Sequence, residues 1–316
     1  MNRARVSLLL GVVTAITVLV GVSAVYPSLD DLWVDNPFWN GLSEFYVAAG
    51  PLRMPELNGL SSVLSPENTT LFVIGPSTEF SGDEVALIRV YLYRGGTVVL
   101  ADDFGTGNQL LEGLRVGVRF SGGLLVDPLF RDRSPLMPIA TATGYTGVGG
   151  LVFNHATALS GCEGAGVTVW SSPFSFLEAG GAQGPWPLVA ELGFEGGRLL
   201  VVGDSSLFIN SMIGRGGNRL LLDAFMRGES IIDEAHSTPS RLTVVKGLLA
   251  KAYTGLGGLE LRYSLVVAVV VGVMAFRLDD EVEPVDEVEA VMAAHPEYDR
   301  GLVEWMHAER RRARGE

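Results

Sequence analysis

Short, continuous apolar runs punctuated by glycine, proline and acidic residues mark the middle of the chain, and each reads as a strand buried on both faces of a sheet. Leu71-Phe72-Val73-Ile74 ends at Gly75-Pro76-Ser77. A helix is expected next: Ser81 and Glu84 form a capping box, Val85, Ile88, Val90 and Tyr91 or Leu92 supply an apolar face, and Gly95-Gly96 close it after Arg94. Thr97-Val98-Val99-Leu100-Ala101 is the following strand, and the helical crossover makes the two strands parallel. Further buried runs lie at 167–170, 199–202 and 231–232, the last behind a helical stretch at 218–226. A second helix is expected after Asn108 and a strand at 116–118, whereas the Gly-rich region 121–166 reads as an insertion or long loops. The fold class predicted is α/β, a mostly parallel sheet with helices on both faces.

The two ends follow a different pattern. Residues 6–26 hold no charge, which at 1.5 Å per residue gives roughly 31 Å, enough for a transmembrane helix. The small residues Val22-Ser23-Ala24 leave a cleaved signal peptide as the competing reading. A second, shorter span is expected at 259–278, its apolar length extended by snorkelling of Arg262 and Arg277. Arg3 and Arg5 place residues 1–5 in the cytoplasm, so the expectation is a cell-membrane protein with an extracytoplasmic domain at 27–255 and both termini cytoplasmic. The Asn68-Thr69-Thr70 sequon would be usable only on that outer side. The tail, 279–316, carries twelve acidic and five basic residues; DDEVEPVDEVE reads as solvated and mobile, with a short helix near 299–314.

Composition narrows the function classes. Acidic residues outnumber basic ones 36 to 23, for a formal charge of -13, which opposes contact with a nucleic-acid backbone. The single cysteine, Cys162, excludes an internal disulfide and a Cys-based zinc site. It lies in a loop-like Gly161-Cys162-Glu163-Gly164 stretch, not on a nucleophile elbow.

Candidate chemistry collects where the strands end. Ser77 follows the first strand; Asp102, Asp103, Gly105, Thr106, Gly107 and Asn108 follow the second; Ser171 and Ser172 follow the run at 167–170. Asp204, Ser205 and Asn210 follow the run at 199–202, and Asp233, Glu234 and His236 follow the last. In a parallel sheet these tips share one edge, where ligands of open α/β sheets bind. The same residue types also cap helices, and Ser81, Asn108 and Ser206 need do no more than that. Asp233-Glu234-Ala235-His236 spells a helicase motif and Asp103-Phe104-Gly105 a kinase magnesium motif, but no phosphate-cradling Gly-Lys-Ser/Thr or His-Arg-Asp loop accompanies them. Gly105-Thr106-Gly107 is a glycine turn whose neighbouring Asp102 and Asp103 would repel a phosphate. A triad of Ser205, His236 and Asp204 or Asp233 lacks the closing glycine of an elbow, and the rim carboxylates with His236 would form a metal or acid/base cluster only if they converge. No cofactor or metal set is assigned.

Taken together, Asn36-Pro37-Phe38-Trp39-Asn40-Gly41, GGTVVLADDFGTGN (95–108), SSPFSFL (171–177), GGRLLVVGDSSLFIN (196–210) and DEAH (233–236) resemble the archaeal and bacterial DUF4350 family of membrane proteins. The resemblance implies a fold similar to class I glutamine amidotransferases and flavodoxins, without the cysteine elbow an amidotransferase needs. It also implies partners: the lipid bilayer, other membrane proteins and a MoxR-type ATPase system. The function expected is a non-catalytic binding or scaffold module in an envelope-associated complex; the alternative is a metal-assisted or acid/base hydrolase using the rim carboxylates.

Overall fold

A computed structural model describes residue 11 and residues 26–178, 181–255 and 287–314. The chain divides into two compact units, one of residues 21–250 and one of 1–20 with 251–316.

The first unit is built on a nine-stranded sheet. In chain order its strands are β1 (Leu52–Met54), β2 (Thr69–Ile74), β3 (Thr97–Ala101), β5 (Ile139–Ala142), β6 (Leu151–Val152), β8 (Gly166–Trp170), β10 (Pro187–Phe194), β11 (Gly197–Val202) and β12 (Glu229–Asp233). Three further strands, β4 (Arg119–Val126), β7 (Thr157–Ser160) and β9 (Phe176–Leu177), make a small separate sheet. The helices are α1 (Ser43–Ala49), α2 (Gly82–Tyr93), α3 (Gly107–Gly113), α4 (Asn218–Phe225) and α5 (Arg241–Gly255). Strand order across the large sheet is β1-β12-β2-β3-β11-β10-β8-β5-β6.

Side chains of the central strands alternate between two cores, as the period of two demands. Phe72, Val99, Leu200 and Ile232 point to the face covered by α1 and α4, where Phe45 and Phe208 pack edge-to-face on Phe72 and Phe225 packs edge-to-face on Phe208. Leu71, Val98, Leu199 and Ile231 point to the other face, with α2, α3 and the 3-10 turn Leu57–Ser62. Helix α2 starts where the sequence pattern places it. Ser81 accepts the Glu84 N–H at 3.3 Å, and the Glu84 carboxylate accepts the Ser81 N–H at 2.8 Å. Ser81→Ala is expected to cost about 1 kcal/mol in a urea titration, the usual worth of a lost N-cap.

The expectation of a mostly parallel sheet is corrected. Strands β1, β12, β2, β3 and β11 are parallel, but the hairpin β10–β11 reverses direction, and β10, β8, β5 and β6 then pair antiparallel, so the sheet is mixed. Part of the reason lies in region 121–166, where an insertion or long loops were expected. Its β5 and β6 join the large sheet, and its β7 and most of β4 join the small one, pieces two to eight residues long that pair antiparallel rather than through helical crossovers. The strand expected at 116–118 is a bend leading into β4.

The two-span membrane assignment is also corrected. Among the described residues no helix is long and apolar enough to cross a membrane. The longest, α5 and α7 (Arg300–Arg314), have 15 residues each, roughly 22 Å. They carry Arg241, Lys246 and Lys251 in one and four arginines near the end of the other. Of the two expected spans, 6–26 and 259–278, only residues 11 and 26 are among the described residues. The cell-membrane location is withdrawn, and with it the placement of 27–255 outside a membrane and of both termini in the cytoplasm.

In the second unit, α6 (Glu287–Ala294) and α7 form a hairpin whose facing side chains include Val288, Val291, Tyr298, Val303 and Met306. Residues 287–289, the end of the acidic run, are therefore helical; 279–286 lie outside the described residues.

Candidate functional site

Direction along the strands decides which loops meet. The five parallel strands end on one edge, and β8 and β6, two and four antiparallel steps beyond β11, run the same way and end there too. Ser77, Asp102–Asp103, Ser171–Ser172, Asp204–Ser205 and Asp233–His236 thus share one edge of the sheet, joined by Asn154 and His155 after β6. The loop between β4 and β5 arrives at the same edge, because β5 begins there.

Sharing an edge is not convergence, and the rim residues are spread over several hydrogen-bonded clusters, the first two joined by Ser205 and Asp103. Asp102 accepts the N–H groups of Asp103 (2.8 Å) and Gly105 (2.9 Å) on one oxygen and of Gly107 (2.7 Å) on the other. A Cβ added at Gly107 would lie 2.6 Å from Asp102 Oδ2 and 2.8 Å from Phe120, so this glycine lets the carboxylate reach the first turn of α3. The turn is filled from within by Asp102, as a phosphate would otherwise fill it. Thr106 donates to the carbonyls of Pro76 and Thr78, and Asn108 exchanges two 2.9 Å bonds with the Phe120 backbone. Asp204 accepts the N–H groups of Asn154 (2.6 Å) and Ser206 (2.7 Å), and Ser205 donates to Asp103 at 3.3 Å. Asn210 lies apart, clamping the loop 36–44 through Asn36, Phe38, Ser43 and Glu44.

His236 forms a third cluster. Its Nδ1 lies 2.8 Å from Asp233, its Nε2 lies 3.6 Å from Glu84, its ring stacks on Phe80, and its carbonyl accepts the Ser77 N–H at 2.8 Å. With both ring nitrogens facing carboxylates and Ser205 directed to Asp103, the Ser205–His236 triad is not assembled. Glu234 bonds Arg53 at 2.7 Å, and Arg53 also reaches Asp35. Among the described residues no three His, Cys, Asp or Glu side chains are grouped to hold a metal ion. A cavity of about 780 Å³ beside β1, lined by residues including Leu52, Met54, Val63, Asn68 and Glu229, contains none of the expected site residues.

Burial sets the electrostatics of this edge. It pushes Asp204 well above the ordinary carboxylate range, against the pull of the Asn154 N–H and with the Asp103 charge adding to the rise. Burial raises Asp102 and Asp103 likewise, and Glu234 despite Arg53. Glu84 is lowered: burial opposes this, but the Ser81 hydroxyl and N–H and the facing His236 outweigh it. Cys162 is raised by burial and then by Glu163, the opposite of an activated thiol.

The fourth cluster exposes something. Asp127, absent from the sequence-level candidates, is 0% exposed. One oxygen accepts the N–H groups of Leu129 (2.9 Å) and Phe130 (2.8 Å); the other accepts the Ser172 hydroxyl, which itself accepts the Phe174 N–H at 3.1 Å. Ser171 shares a 2.7 Å hydrogen bond with Ser175, whose hydroxyl also donates to the Ser172 carbonyl. One buried carboxylate therefore ties together two loops whose tips carry Phe130 and Phe174, stacked with centroids 6.0 Å apart and planes at 18°. These rings are 50% and 51% exposed, and Leu129 beside them is 63% exposed. The signal available in the sequence was Asp127-Pro128, an Asx-turn pair directly before Leu129-Phe130.

Comparisons with known proteins bear on the family. A comparison with curated proteins gives no match. Among solved structures, the mmIFT52 N-terminal domain is similar at 18% identity and a TM-score of 0.43, over 54% of this chain and 79% of that one. A cytoplasmic protein from Salmonella typhimurium is similar at 12% identity and 0.35, over 56% and 76%. A β-galactosidase from Bacillus circulans sp. alkalophilus is similar at 12% and 0.31, over 49% of this chain and 22% of the enzyme. The family model described as "Domain of unknown function (DUF4350)" matches residues 34–226, more than half of the chain. The blocks at 36–41, 95–108, 171–177 and 196–210 fall inside that match, and the chain belongs to the DUF4350 family.

Proposed function

We propose that this protein is a non-catalytic binding module that engages a partner protein through the aromatic platform at the carboxyl edge of its sheet. The carrying observation is that Phe130 and Phe174, each half exposed, are held together by one fully buried carboxylate, Asp127. Exposing two phenylalanines gains the isolated domain nothing, whereas rigid aromatic anchors are what a protein interface uses, because little conformational freedom is lost on docking. The rim carboxylates that a hydrolase would use spend their oxygens on backbone N–H groups, Arg53, Ser205 and His236. An amidotransferase role finds no support, since Cys162 sits between β7 and β8 with its thiol pushed up by burial.

A MoxR-type ATPase, the partner class implied by the family resemblance, is the first to test. Cross-linking and co-purification of the full chain with that ATPase is expected to recover a defined complex. The double variant Phe130→Ser/Phe174→Ser should lose it while keeping the wild-type melting temperature. Unchanged recovery by the double variant would overturn the platform reading. So would turnover of an ester, amide or phosphate substrate abolished by Asp103→Asn.

A further inference from the structure

Resting on the platform reading above, we infer that the segment received by Phe130 and Phe174 is an acidic stretch of a partner protein with apolar residues interspersed. The chemistry beside the rings points to it. Arg131 and Arg133 follow Phe130 in the same loop and are both exposed. Asp132, between them, is taken up by Arg215. Among the described residues neither Arg131 nor Arg133 has a carboxylate partner, although the chain carries a formal charge of -13 and Arg53, Arg198, Arg215 and Arg219 of the same unit each pair with an acid.

The backbone that carries the two arginines is also fixed. Arg131 pairs with Pro138 in an antiparallel bridge, the Asp132 N–H donates to the Met137 carbonyl at 3.0 Å, and the Ile139 N–H donates to the Phe130 carbonyl at 2.8 Å. These bonds close a hairpin whose base is Phe130 and whose outer positions are the arginines. Two unpaired arginines next to stacked rings and an exposed leucine form a surface that takes carboxylates by bidentate hydrogen bonds and apolar side chains by burial. A basic segment would meet like charge here, and the acid between the two arginines, Asp132, is already held by Arg215.

The test uses the full-length protein and fluorescence anisotropy with two fluorescein-labelled peptides. In one, glutamate alternates with leucine and phenylalanine; in the other, lysine replaces each glutamate. Saturable binding of the glutamate peptide is expected, weakening as salt is raised because the attraction is screened beyond about 10 Å at 0.1 M. Arg131→Glu/Arg133→Glu should weaken it at least about tenfold with an unchanged melting temperature, the order expected when two exposed pairs are lost and reversed. Phe130→Ser/Phe174→Ser should weaken it too. Equal or tighter binding of the lysine peptide, no binding of the glutamate peptide, or indifference to the charge reversal would overturn the acidic assignment. In the last case the platform itself would stand if the phenylalanine double variant still lost binding, and would fall with the acidic assignment if it did not.

Discussion

Replacing Asp127 with alanine is expected to lower the unfolding free energy by about 3 kcal/mol and to disperse the Phe130–Phe174 pair. The carboxylate serves two backbone N–H groups and one hydroxyl from a fully buried position. Deleting it strands those donors, and an unsatisfied buried donor costs roughly 1 to 3 kcal/mol, less where water can reach it. Asp127→Asn discriminates this from simple loss of volume. Its amide oxygen can still accept from Leu129 and Phe130, and its NH2 can donate to the Ser172 hydroxyl, which turns to accept. The asparagine variant should therefore recover most of the lost stability. Urea titration measures the difference, and hydrogen exchange at the Leu129 and Phe130 amides localises it. Equal losses in both variants would show that the negative charge, not the pattern of donors, holds the loops.

The second large effect is on the pH dependence of stability, through Asp204. Its folded pKa is well above the ordinary 3.8, chiefly because burial disfavours the charged form. The folded state therefore holds a proton that the unfolded state has released. Stability from this group is complete below the unfolded value, and it falls as pH rises from 3.8 through the raised folded value, by up to about 1.4 kcal/mol per pH unit. Glu84 acts in the opposite sense: its folded pKa is below 4.5, so its contribution is present above that value and disappears as pH falls through the lowered one. Comparing wild type with Asp204→Asn isolates the first effect. Asparagine has no such titration, so the wild type should lose ground relative to the variant as pH is raised out of the acid range. A difference independent of pH between 3 and 7, roughly the span in which carboxylates titrate, would mean that Asp204 titrates alike in the folded and unfolded protein.

The sequence made half of this sheet readable for a definite reason. Leu71–Ile74, Thr97–Ala101, Leu199–Val202 and Ile231–Ile232 sit in the middle of the sheet, covered on both faces, so burial left uninterrupted apolar runs. The Ser81–Glu84 capping box is legible because it is local, two side chains three residues apart. Strands β5 to β7 were hidden because they are only two to four residues long, and β4 because Gly122-Gly123 interrupts it; all are stabilised by partners distant in the chain: Thr157 pairs with Leu124, and Ile139 with Val152. Strand β10 alternates only weakly, Pro187 to Phe194, since both of its neighbours also bury it.

The candidate site was legible in location and not in chemistry. Polar residues after strands do line one edge, but whether Asp102 faces a ligand or its own helix depends on where Gly107 places its N–H, and no spacing rule states that. Asp127 was missed because nothing in Val126-Asp127-Pro128 reveals that Ser172, 45 residues later, returns to meet it.

The hairpin that reverses the sheet has a practical corollary. Its turn, Glu195-Gly196, is exposed and stands at the opposite end of β11 from Asp204, with Glu195 in the left-handed backbone region. A cysteine or biotin acceptor introduced there would attach the molecule to a sensor chip with the phenylalanine pair turned toward bulk solution. Coupling through Asp103 or Arg133 instead would press that same end against the chip.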